Sequence, residues 1–307
     1  MNEKPFRILS VDGGGIRGIY PAKILELIQD RLQVNILEKF DMIAGTSTGS
    51  IIAAAIAKGT DPKEIVSLYR QDGKEIFAAK VPTILPNFIA QAIHTKFLNC
   101  ELRSVLEREF EELKLGDIAK PLMLPATDIG SGDVHIFKSS YEKEFTRDPE
   151  VRVSEAVLAC CSAPTYFNPV KVGNYHIADG GIWANNPTLV SYAEAIHRLQ
   201  IDPSNIRILS LGTGHSRIAY GTNKKIFWGL LNGWRGREFI EFLLSLQAVS
   251  TQNYAKLILN NNQLLRIDFS TDKKLPLDDP SCIDDLVSRA DKNFSELTKE
   301  LHAFFAE

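Results

Sequence analysis

Ser47 lies in Gly45-Thr46-Ser47-Thr48-Gly49, between the apolar run Asp41-Met42-Ile43-Ala44 and the Ala-rich run Ser50-Ile51-Ile52-Ala53-Ala54-Ala55-Ile56-Ala57. A serine in G-x-S-x-G at a strand-to-helix junction has the form of a nucleophile elbow. The turn must be tight, and Gly45 and Gly49 remove the Cβ atoms that would clash there. The hydroxyl then sits at a helix N-terminus, where backbone N–H groups favour developing negative charge. The same pentapeptide also fits an ordinary turn without chemistry.

A second glycine-rich stretch, Asp12-Gly13-Gly14-Gly15-Ile16-Arg17-Gly18, follows the apolar strand Phe6–Val11. Gly13, Gly15 and Gly18 satisfy G-x-G-x-x-G, which leaves a dinucleotide site open. Against it, the strand that would carry the ribose-binding carboxylate ends in Gly45-Thr46-Ser47, and Asp41 stands at that strand's start. The other reading is an oxyanion hole, in which Gly13, Gly14 and Gly15 let several N–H groups converge on one oxygen. A tight strand–helix turn is the plain alternative. Arg17 is open to three roles: a surface cation, a brace for the loop, or a charge attracting an anionic head group.

A serine hydroxyl needs a neighbouring base. Asp179, in Ala178-Asp179-Gly180-Gly181, ends a strand and enters a glycine turn, so it can reach the same rim as Ser47. Burial would raise its pKa and make it a better base. It also fits an Asx-turn. A Ser…Asp…His triad would draw on His197, His215 or His302, of which His215, just after a strand, has the best placement.

The elements that must hold these residues alternate strand and helix. Helices are predicted over 21–33, from Asp61-Pro62, over 101–113, 153–161, 187–199 and 239–259, with Asn185 and Asn186 as cap candidates for the fifth. Strands are predicted over 122–127, 134–138, 175–178 and 206–211. Residues 76–98, broken by Pro82 and Pro86, read as an irregular cap, and Leu286, Ala290, Phe294, Leu297, Leu301 and Phe304 keep helical spacing. The alternation argues an α/β fold with a mostly parallel sheet covered on both faces. With no repeat or linker, residues 1–307 read as one domain.

The composition is that of a soluble globular protein, 44% hydrophobic and 24% charged, with net charge −3, so no basic excess points to a nucleic acid polymer. Cys100, Cys160, Cys161 and Cys282 have no metal-ligand spacing, and reduced buried thiols are expected. No D-x-D-x-D-G loop suits calcium, and neither a metal nor a cofactor is expected. Without a signal peptide or an 18-residue apolar run, a cytoplasmic protein with at most peripheral membrane contact is expected.

Taken together, these segments resemble the patatin-like phospholipases over most of the chain. Asp12–Gly18 looks like the family's oxyanion loop, Gly45–Gly49 its elbow, and Asp179-Gly180-Gly181 its D-G-A/G element. Ala126-Thr127-Asp128, Ser162–Phe167, Ala184-Asn185-Asn186-Pro187 and Leu209–Gly214 are also similar. The resemblance implies a three-layer α/β/α fold and a Ser/Asp dyad without histidine. Ser47 would be nucleophile and Asp179 base, with Gly13, Gly14, Gly15 and Arg17 at the oxyanion site. Among stand-alone bacterial members are anti-phage effectors switched on by a cyclic oligonucleotide, and such an activator, with self-association, is an expectation here. Arg217, Tyr220, Lys224 and Arg237 offer the charge and stacking such a messenger needs. Finally, residues 222–240 combine Trp228 and Trp234 with four cations and read as a membrane-facing lid or as a core-covering loop.

Overall fold

The computed structural model describes residues 4–77, 95–217, 220, 228–229 and 233–306. Its framework is a sheet in which β1 (Phe6–Val11), β2 (Met42–Gly45), β3 (Leu122–Asp128), β7 (Ile206–Leu211) and β9 (Leu264–Ile267) run parallel in the order β3-β2-β1-β7-β9. Beyond β3 the sheet turns antiparallel, through β4 (Asp133–Lys138), β5 (Val170–Val172) and β6 (Tyr175–Asp179).

Side chains alternate across this sheet, so the parallel strands feed two separate cores. Leu9, Val11, Ile43, Leu209 and Leu211 enter the larger one. It is closed by α1 (Ile19–Leu32), α2 (Ile36–Lys39), α3 (Thr48–Lys58), α4 (Pro62–Ile76), α5 (Asn99–Phe110) and α6 (Val153–Cys160), with α10 (Ile283–Glu296) and α11 (Thr298–Ala306). Ile8, Met42, Ala44, Ile206 and Ile208 face the other way, onto α8 (Thr188–His197) and α9 (Arg237–Ile258). The result is the three-layer α/β/α arrangement. Between β6 and α8 runs one short helix, α7 (Gly181–Ala184).

The chain departs from the sequence-based expectations in particular places. The C-terminal apolar series is two helices that break at Leu297, each burying its own share of the spacing. The helix expected over 101–113 ends at Phe110, where Glu111 adopts φ 49°. β5, β9 and a two-residue pair of strands, β8 (His215–Ser216) with β10 (Ser270–Thr271), were not predicted. The thiols of Cys160 and Cys161 are buried, but Cys100 is exposed and Cys282 only half-buried, which corrects the expectation of four buried thiols. Most of the cap expected over 76–98, and Lys224, lie outside the described residues. Among the described residues no helix is long and apolar enough to cross a membrane, and no cluster of three His, Cys, Asp or Glu could hold a metal ion.

Candidate active site

Ser47 takes φ 53° and ψ −126°, a conformation that L-residues avoid, directly between β2 and α3. Holding it there costs about 1–3 kcal/mol, so the surroundings must over-determine it. They do. The Thr46 amide donates to the Val11 carbonyl at 3.1 Å, and the Thr46 hydroxyl donates to the Ala184 carbonyl at 2.6 Å. Amides of Gly49 and Ser50 donate back to Thr46 and Ser47 carbonyls, and the Ser50 hydroxyl adds a bond to Ser47 O at 2.5 Å. A Cβ at Gly45 would lie 2.0 Å from the Gly49 carbonyl oxygen, so only glycine lets the two sides of the turn close. From Met42 to Ala57 every residue except Ser47 is buried. The elbow is built to present one hydroxyl.

Asp179 reaches that hydroxyl by a route that motif reading did not anticipate. A strand has two edges, and β4 occupies one edge of β3 along its whole pairing. β2 pairs the start of the other edge (Ala44 with Met123), and β6 pairs its end, antiparallel (Asp179 with Ala126). The C-terminal ends of β2 and β6 therefore meet head to head, three residues apart on β3, or about 10 Å along the strand. Asp179 is 2% exposed. Its Oδ1 accepts the Gly181 N–H at 2.7 Å, while its buried Oδ2 has no hydrogen-bond partner among the described residues. Burial raises its pKa to about 6, against the lowering influence of the Ser47 side chain and the Gly181 amide. A carboxylate with one oxygen pinned and the other free, near a serine hydroxyl, is placed to take a proton.

The glycine loop lies against both. A Cβ on Gly13 would come 3.0 Å from Ser47 Cβ and 2.3 Å from Asn185 Oδ1. The Gly13 amide, however, donates to the Asn185 carbonyl at 2.9 Å. This removes it from the expected oxyanion donors: Gly13 is there for close approach, not for its N–H. The amides of Gly14 and Gly15 have no acceptor among the described residues, and both residues line the pocket that Ser47 opens into. Thr48, after the nucleophile, opens α3 and contributes a further first-turn amide at that pocket, without an acceptor among the described residues. Arg17 is not a surface cation. It is 5% exposed, and its Nε donates to the Gly14 carbonyl at 3.1 Å and Nη1 to Leu275 O at 3.4 Å, so it braces the loop. Asn185, expected as a helix cap, faces Gly13 instead, and Asn186 Oδ1 takes the Thr188 amide.

From Ser47 and the loop an apolar slot runs between Ile51, Leu68, Ile76, Phe77, Phe167 and Leu244. Cys161 also lines it, but burial pushes its thiol far up, so it stays protonated. The parts are those of acyl transfer to serine: hydroxyl, buried carboxylate, free amides and an apolar slot. A family model described as patatin-like phospholipase matches residues 9–192, a span that takes in the glycine loop, the elbow and Asp179. The chain belongs to the patatin-like phospholipase family. It is a lipid acyl hydrolase. A cGAMP-activated phospholipase of Escherichia coli (strain TW11681) is 30% identical over 282 residues, covering 86% of this chain and 76% of the relative. A cUMP-AMP-activated phospholipase of Escherichia coli is 31% identical over 223 residues, covering 69% and 66%. The solved structure of VipD from Legionella pneumophila superimposes with a TM-score of 0.51 at 14% identity, covering 97% of this chain and 67% of that one, which is a likeness of fold.

In this patatin-like phospholipase His215 does not face Asp179. It stands in the short strand β8, its Nδ1 3.9 Å from Asp268 Oδ2. Asp41 accepts the Arg7 amide at the start of β2, the end of the sheet away from the loop. With the family established, the dinucleotide reading of G-x-G-x-x-G falls. Gly180 and Gly181 keep their place beside Asp179, where a Cβ on Gly180 would meet the Pro125 carbonyl oxygen at 2.2 Å. Sequence reading missed Thr48, Arg266 and Glu241. Glu241 accepts the Tyr166 hydroxyl at 2.8 Å, and Tyr166 lines the slot. The order of residues held no signal for either Arg266 or Glu241, since Arg266 reaches Asp12 from the far end of the chain and Glu241 meets Tyr166 from a separate helix.

Proposed function

We propose that the protein is a serine phospholipase that cleaves fatty-acyl esters of membrane glycerophospholipids through Ser47 and Asp179. The observation that carries this reading is the buried carboxylate of Asp179, whose Oδ2 has no hydrogen-bond partner among the described residues, beside a serine held in a strained elbow. Ser47 Oγ attacks the ester carbonyl and passes its proton to Asp179 Oδ2. Negative charge on the carbonyl oxygen is taken by the amides of Gly14, Gly15 and Thr48. Collapse breaks the ester bond, and Asp179 returns the proton to the departing lysophospholipid oxygen. Water, deprotonated by Asp179, then attacks the acyl-enzyme, and the fatty acid leaves as Ser47 regains its proton. The slot from Ile51 to Leu244 receives the acyl chain.

The proposal extends to control. Two relatives are named as activated by cyclic dinucleotides, which supports the same class of activator here and a role in anti-phage defence. Of the candidate contacts, Tyr220 packs among Trp228, Trp234 and Phe242, with the Arg235 guanidinium 5.4 Å over its ring. Arg217 pairs with Asp272, and Arg237 stands 6.0 Å over Tyr166, at the active-site slot. Lys224, with residues 222–227 and 230–232 of the lid segment, lies outside the described residues; of the two indoles, Trp228 is half-exposed and offers surface for a bilayer. The test is phospholipid-vesicle hydrolysis by purified protein across a panel of cyclic dinucleotides, beside Ser47→Ala. Fatty-acid release from wild type, rising at least about tenfold with one messenger and absent in the variant, is expected. Release that survives Ser47→Ala would overturn the dyad, and release indifferent to every messenger would overturn the control.

A further inference from the structure

Behind the glycine loop, on the face away from Ser47, lies a row of buried polar groups that the proposed chemistry does not use. Ser10, Ser210 and Arg266 stand side by side on β1, β7 and β9. Thr188 of α8 bonds Ser10 at 3.0 Å and Ser210 at 2.8 Å. Arg266 reaches along this row to the end of β1. Its Nη1 donates to Asp12 Oδ1 at 2.8 Å and to Ser210 Oγ at 2.8 Å, and its Nη2 to Asp12 Oδ2 at 2.6 Å and Asp268 Oδ2 at 2.8 Å. Asp12 is the residue from which the glycine loop departs. Asp268 Oδ1 in turn accepts the amides of Gly214 and Phe269, and the neighbouring Thr213 hydroxyl donates to the Gly13 carbonyl at 2.8 Å. One guanidinium thus ties the root of the loop to the turn that packs on its back.

Global stability does not explain such a cluster. A buried ion pair is seldom better for stability than apolar residues of the same volume, because desolvation offsets the attraction. Here one cation faces two carboxylates, and Arg266 Nε is buried with no partner among the described residues. Burial works against the charge on Arg266, but Asp12 and Asp268 outweigh it and hold the guanidinium charged. What the arrangement provides is direction. A planar fork on a planar carboxylate fixes both groups in angle as well as distance. We infer that Arg266 is a positioning residue for the oxyanion loop: through its forked bond to Asp12 it sets the angle at which the Gly14 and Gly15 amides meet the reacting carbonyl oxygen. The inference rests on the acyl-hydrolase reading above.

The test is Arg266→Lys, which keeps the charge and loses the fork. Activity on a soluble ester is expressed per active site, with sites counted by titration to completion with a fluorophosphonate. The expected result is a kcat per titrated site about 10–10²-fold below wild type, KM within about threefold, and native circular dichroism. Asp12→Asn, nearly isosteric, is expected to give the same pattern, and the double variant is expected to lose no more than the worse single one, since both break one bond. It carries the test alone if Arg266→Lys fails to fold. A merely structural role would lower the titrated fraction or the melting temperature and leave kcat per site within about twofold of wild type; that result overturns the inference. Ser47→Ala, run in parallel, separates the two claims. If it retains activity the acyl-hydrolase reading fails, whereas a dead Ser47→Ala beside an unimpaired Arg266→Lys removes only the role of Arg266.

Discussion

At the scale of the residue, the account turns on two side chains and their environment. Ser47→Ala is expected to lower ester hydrolysis at least about 10³-fold without loss of fold, since it removes the covalent step. Asp179→Asn is expected to match that loss, and it has a second, independent signature. The folded-state pKa of about 6 lies above the ordinary carboxylate value of 3.8, so the folded protein keeps a proton that the unfolded chain has released. Stability therefore falls as pH rises from about 4 to about 6, and above that the ionised, buried carboxylate is a standing cost of about 3 kcal/mol. Asparagine keeps the acceptor for the Gly181 amide and abolishes the charge. Denaturant melts are expected to show Asp179→Asn more stable than wild type by about 1–3 kcal/mol at pH 8 and equal to it near pH 4. Equal stability at both pH values would mean that Asp179 is solvated and not the base described. For the same reason kcat/KM is expected to fall below about pH 6 on the acid side. Ser47 and Asp179 were legible because glycines flank them in fixed patterns. Thr48 was not, because its contribution is a backbone amide that any residue would supply.

At the scale of the element, the glycine loop and the elbow depend on backbone approach that side chains would obstruct. A Cβ on Gly14 would lie 2.2 Å from Thr213 Oγ1 and 2.6 Å from Thr213 Cβ. Gly14→Ala is expected to displace one oxyanion donor and lower kcat about 10²–10³-fold, with KM little changed, in steady-state kinetics on a soluble ester. A loss confined to KM would place Gly14 in substrate binding alone. Most strands were visible as apolar runs bounded by Gly or Asp. β9 was hidden: Asn260-Asn261-Asn262-Gln263 reads as loop, and Arg266 interrupts a four-residue strand. That charge is tolerable only because Asp12, from the other end of the chain, and Asp268, two residues on, pair with it. The C-terminal helices were legible in spacing but not in their break, since Leu297 continues the apolar pattern through a residue with φ −105° and ψ 13°. The antiparallel return of β6 was equally unreadable, because a motif fixes the end of a strand and not its direction in the sheet.

At the scale of the whole molecule, a phospholipase that meets its own cell's membrane needs an off-state, and an activator can lift it only by binding the active state more tightly. α9 borders the active-site slot. Only Thr251 and Ala255 of its 22 residues are buried, yet it supplies Glu241 to Tyr166, Leu244 to the slot, and Gln247 to the Asn186 amide at 2.9 Å. Replacing Trp228 and Trp234 together with Ala is expected to impair hydrolysis of vesicles at least about tenfold more than of a soluble short-chain ester, if the indoles supply interfacial affinity as proposed. Equal losses on both substrates would assign them to packing around Tyr220. Beneath every such effect stands the identity of the nucleophile. It is read most directly by labelling the purified protein with a fluorophosphonate and mapping the modified peptide by mass spectrometry. The account predicts label on Ser47, none in Ser47→Ala, and labelling slowed at least about 10²-fold in Asp179→Asn; label on any other residue, with phospholipid hydrolysis lost in step, would contradict it.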